Sequence, residues 1–148
     1  MKQNDIGYLL ATVAANMLFI LIAIEALSLK SNIKTNWRGV KEWLEKGAML
    51  MIVPFALAAL VNFIGQRPAW SVVIPLLMVF FLAAEGIFDS LIKHSKPYLV
   101  LVLFRGLFFI MVGLAMAIYA FAGGTAAGFI TLGTMAAAGW AGFLSTSS

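Results

Sequence analysis

Three observations predict an all-α, polytopic bundle of membrane-spanning helices. Of the 148 residues, 63% are hydrophobic and only 11% charged, the mean hydropathy is +1.01, and the apolar residues gather into runs about as long as a bilayer is thick. Soluble domains are about 45 to 50% apolar and about 25% charged, so this chain has too little polar surface to face water. Its length suits one transmembrane domain, 1–148.

A spanning helix takes roughly 20 largely apolar residues. Runs of that order cover 7–29, 47–65, 71–91 and 98–122. A fifth, 125–144, is rich in Ala, Gly and Thr and less hydrophobic, and Gly123-Gly124 supplies a break before it. Five spans are therefore expected rather than four with a surface-lying tail. The first run is too long for a signal-peptide core, carries Glu25 and lacks a convincing cleavage site, so it is expected to be a retained helix.

Ten Lys and Arg stand against six Asp and Glu. Most lie in the connection 30–46 (Lys30, Lys34, Arg38, Lys41, Lys46) or beside His94 in the third connection (Lys93, Lys96). In a membrane protein this bias reports orientation rather than nucleic-acid binding. Both connections are expected in the cytoplasm, with Met1 outside and Ser148 inside. Within 30–46, Trp37, Val40, Trp43 and Leu44 recur at helical spacing, with Arg38, Lys41, Glu42 and Glu45 opposite. That pattern predicts a short helix in the headgroup layer, serving as an aromatic anchor or as a docking site for a partner or anionic lipid. Pro54 and Pro75 fall inside the second and third spans, where each removes a backbone donor.

Charge inside a bilayer is costly and usually faces the protein interior. Glu25, Glu85, Asp89 and Arg105 form the candidate buried cluster. Glu85 precedes Lys93, and Arg105 follows Pro97, by the same eight residues, which sets both about 12 Å from the boundary at 1.5 Å per residue. Glu85 is thus the expected partner of Arg105, with Glu25 next. The cluster suits an ion pair that fixes helix register, and also a proton relay or ion site, although no second polar cluster continues a route across the outer half beyond Asn16 and Asn62.

No catalytic residue, metal site or cofactor is assigned. Cysteine is absent, which removes disulfide, thiolate and iron–sulfur chemistry. The single histidine, His94, lies in a basic connection and reads as a solvated interfacial residue. Glu-x-x-His pairs, a nucleophile elbow and a phosphate-binding glycine motif are all missing. Gly106 and Gly113 in the fourth run, with Gly124 and Gly128 at the start of the fifth, are candidate close-packing positions within the bundle or against another subunit.

Glu85 at a helix end, a short basic connection and then Phe104-Arg105-Gly106-Leu107-Phe108-Phe109-Ile110-Met111-Val112-Gly113 together resemble the COPI-associated family of Golgi tetraspan vesicle proteins. The resemblance covers roughly 47–144 and leaves the first helix and the amphipathic connection unmatched. It implies a small non-enzymatic membrane protein of the secretory pathway, with Glu85 and Arg105 as the matched charged positions. The function expected is a structural or accessory role in the bilayer, assembling with itself or with other membrane subunits. The alternatives are a small ion or proton transporter or channel using the buried carboxylates and, third, a membrane enzyme acting on lipid.

Overall fold

In lipid, backbone groups find partners only within a helix or a closed barrel, and apart from short turns the described part of this chain is helical. The computed structural model describes residues 6–30, 37–92 and 99–146. Their order is α1 (Ile6–Lys30), α2 (Trp37–Leu50), α3 (Ile52–Ile64), α4 (Ala69–Ile92), α5 (Leu99–Gly123) and α6 (Thr125–Thr146). Five stretches are long and apolar enough to cross a bilayer: Ile6–Ser28, Glu42–Ile64, Ala69–Ile87, Leu103–Gly123 and Thr125–Ser145. The protein is a multi-pass helical membrane protein, and α6 holds the fifth stretch of spanning length.

The second span differs from expectation at its start. The short helix foreseen near Trp37 runs on to Leu50 and meets α3 across Met51 alone. Pro54, three residues further on, has no N–H to give the carbonyl of Leu50, which accounts for the interruption. Connection and span are thus joined through one residue, Met51, itself in the right-handed helical region, rather than by a loop. Met49 lies against Gly86 of α4 and Leu21 against Gly47, so the second half of α2 is packed into the bundle.

The hub is α1, which packs against α2, α3, α5 and α6, its most extensive contact being with α6. Ala11, Ala14 and Ala15 are buried on its inner side and let neighbours approach closely, while Leu18 and Phe19 fill the centre with Phe55, Met78, Met116 and Tyr119. On the outer side, Leu9, Val13, Met17, Ile20, Ile24 and Leu27 are exposed at helical spacing, as lipid-facing residues are. The helix on which the bundle is built is the one the COPI-associated resemblance leaves out.

Both tight turns have readable chemistry. Gly124 alone joins α5 to α6 with φ +155°, which only glycine adopts easily. After α3, Gln66 takes φ +50°; its N–H donates to Phe63 O at 3.1 Å and that of Arg67 to Asn62 O at 3.0 Å. This is a Schellman stop, followed by Pro68. The turns share one end of the bundle, since Gly123 lies against Tyr8, which stacks on Tyr119 and meets Trp70. The start of α1 is at this end and the close of α6 at the other.

Candidate functional site

Among the described residues, polar side chains inside the bundle are gathered in three places, each joining different helices. At the end away from the turns, Arg105 Nη2 of α5 pairs with Glu85 Oε2 of α4. The Glu85 side chain is 16% exposed and that of Arg105 44%, so the carboxylate is enclosed while the guanidinium reaches the bundle surface. Glu25 is half-buried on α1, where its backbone carbonyl accepts from Ser28 Oγ at 2.7 Å. Asp89 belongs to α4, but its side chain lies outside the described residues, as do those of Trp37 and Val40 and the whole of His94.

A second group lies near the turns. Pro75 cannot donate to the carbonyl of Ser71 four residues earlier, and that acceptor is buried within α4. Asn62 of α3 replaces the missing donor, its Nδ2 lying 2.8 Å from Ser71 O. The same nitrogen donates to Tyr119 Oη of α5 at 2.7 Å, and Tyr119 in turn donates to Gly7 O of α1 at 3.3 Å. Four helices are tied through one amide. Gly7 allows the approach, because a Cβ there would collide with the Asn62 side chain. Tyr8, Trp70 and Tyr119 cap the group with mutual ring contacts, and the Arg67 guanidinium lies 5.6 Å from the Tyr8 ring centroid.

The third group links the first helix to the last. Asn16 Nδ2 donates to Thr131 Oγ1 at 3.0 Å and to Thr12 O at 2.8 Å, and its Oδ1 accepts from Thr134 Oγ1 at 2.7 Å. Thr131 also donates back to Ala127 O at 2.9 Å. An amide with donors and acceptor used in this way fixes the register of α1 on α6. Thr12 Oγ1, one turn away, is buried with no partner among the described residues.

Asn16 and Asn62 look in the sequence like isolated polar residues, yet each is the centre of an interhelical network. The signals were local: Ser71 sits four residues before Pro75, and Thr131 and Thr134 share a face of α6. The candidate glycines separate into two kinds. Gly113 and Gly128 pack internally, against Met135 and the Phe121 ring, whereas a Cβ on Gly106 or Gly124 would meet nothing within 4 Å. On α2, Leu44 is half-buried and Trp43 is 79% exposed.

Chemically, these groups bind helices to one another. Apart from Thr12 Oγ1, the hydrogen-bonding atoms named in them meet protein partners, and among the described residues no three His, Asp or Glu side chains gather as metal ligands would. No family model, curated protein or solved structure matches the chain.

Proposed function

We propose that the protein is a non-enzymatic membrane subunit with a structural or accessory role, assembling with a second copy of itself through the outer face of α6. The observation that carries this reading is the character of that face. The outward side of α1 carries large apolar residues from Leu9 to Leu27, and that of α5 does so from Leu103 to Ile118 except at exposed Arg105 and Gly106. On α6, exposed Gly133, Ala136 and Ala137 stand at helical spacing between Phe129 and Trp140, which are 65% and 63% exposed. Lipid gives no hydrophobic drive for helix association, so small residues that admit a neighbouring helix are the usual means of contact. The α6 stretch is also the least hydropathic of the five, which makes protein a better neighbour for it than lipid tails.

α1 and α4 end, and α2 and α5 begin, at the end away from the turns, and the basic connections follow these helix ends in the sequence, so the proposed orientation has that end in the cytoplasm and the amino terminus outside. The resemblance to COPI-associated proteins agrees with a non-enzymatic role in the secretory pathway. Transport is the weaker reading, because Glu85 would have to leave Arg105 in each cycle.

Crosslinking in the native membrane before extraction, followed by mass measurement in detergent, tests the assembly. A dimer that dissociates with Gly133→Leu and Ala137→Leu together supports the proposal. A monomer at every concentration, with proton flux in vesicles that stops in Glu85→Gln, supports transport instead.

A further inference from the structure

We infer that the outward face of α2 binds the anionic headgroups of one membrane leaflet, with Trp43 seated among them. At helical spacing this face presents Gly39, Glu42, Trp43, Lys46 and Leu50, all exposed. Trp43 is 79% exposed, more than any other large apolar side chain among the described residues, so its indole is left to whatever surrounds the bundle. The helix is not free to turn that side inward, because Gly47 lies against Leu21 of α1 and the Met49 methyl against Gly86 of α4. Those contacts hold α2 in place with Trp43 turned out.

Residue counting sets the depth. The stretch 47–66, between Lys46 and Arg67, carries no charge and at the helical rise of 1.5 Å per residue covers about 30 Å, the thickness of a hydrocarbon core. Lys46 therefore stands at one boundary. Trp43, three residues earlier, lies about 4.5 Å beyond it, in the headgroup layer where indole rings settle. The exposed large side chains that follow, among them Leu50, Val53, Leu57 and Leu60, are apolar, as residues inside that boundary should be.

Charge complementarity selects the occupant. The connection 30–46 carries five cations, from Lys30 to Lys46, against Glu42 and Glu45, and so places a net positive segment next to the boundary. Anionic headgroups match such a segment, and neutral ones do not. A soluble protein fits less well. Interface cores are depleted of charge and gather aromatic rings, whereas the neighbours of Trp43 on this face are Gly39, Glu42 and Lys46.

The test is fluorescence quenching of the full chain in bilayers of phosphatidylcholine and phosphatidylglycerol, with Trp43 emission taken as the difference between the unaltered protein and Trp43→Phe. Bromine near the ester groups is expected to quench this emission about twofold more than bromine near the chain ends. Bromine carried by phosphatidylglycerol is expected to quench it about twofold more than the same fraction carried by phosphatidylcholine. That second excess should shrink in Lys41→Gln with Lys46→Gln while Trp43 stays shallow, and high salt should shrink it in the unaltered protein, which decides if the variant does not fold. Emission reached by aqueous iodide and by neither brominated lipid would overturn the inference and point to a soluble partner. Stronger quenching from the chain ends, or equal quenching by the two lipids in the unaltered protein, would overturn it as well.

Discussion

Asn62 donates from Nδ2 to the carbonyl of Ser71 at 2.8 Å, completing the hydrogen bond that Pro75 removes from α4. The proline is tolerated within a span because a neighbouring helix supplies the absent donor. Asn62→Leu is therefore expected to destabilise the protein by about 1 to 3 kcal/mol, the cost of a buried acceptor left unmet. Pro75→Ala restores an N–H to that carbonyl, so the Asn62→Leu penalty should shrink by about 1 kcal/mol in its presence. A double-mutant cycle of unfolding in mixed micelles measures this, and strictly additive changes would contradict it.

The Glu85 and Arg105 pair should behave as a unit. Arg105→Leu alone leaves an enclosed carboxylate without its charge partner, whereas adding Glu85→Leu removes the orphan. The single change is expected to cost about 2 kcal/mol, below the 3 to 5 kcal/mol of a fully enclosed pair because Arg105 is 44% exposed. The double change should recover much of that loss. Equal stability of the single and double variants, read by thermal unfolding in one detergent, would show that the pair holds little.

Thr12 gives a prediction of opposite sign. Its hydroxyl is buried without a partner among the described residues, and valine has nearly the same shape. Thr12→Val should stabilise the bundle by about 1 kcal/mol, because the hydroxyl is returned to water only on unfolding. A loss of stability in the same unfolding measurement would mean that the hydroxyl makes a bond in the membrane.

At the stop of α3, Gln66 occupies the left-handed conformation that costs a non-glycine residue about 1 to 2 kcal/mol. Gln66→Gly should raise the unfolding free energy by about 1 kcal/mol, tempered by the greater freedom of glycine in the unfolded chain. Gln66→Val should lower it. The contrast between the two variants isolates the backbone from any role of the glutamine amide.

The spans were legible because each is an uninterrupted apolar run of bilayer length, and the pairing of Glu85 with Arg105 because equal depth on consecutive helices follows from residue counting. Helix neighbours were not legible. Nothing in the order of residues says that α1 lies against α6, so Asn16 could not be matched with Thr131 and Thr134, nor Asn62 with Tyr119. The join of α2 to α3 was hidden for another reason. Charges as far as Lys46 suggest a boundary between connection and span, whereas the helical backbone continues across it and is interrupted only where Pro54 withholds a donor.

Five crossings require the two ends of the chain to face opposite sides of the membrane, and this parity is the most direct test of the fold in its native setting. Tags placed before Ile6 and after Thr146 can be probed with an impermeant reagent in sealed vesicles. The bundle described here predicts that one tag is labelled from outside and the other only after the vesicles are opened. Labelling of both from the same side would mean that α6 does not cross, and that the membrane domain has four spans.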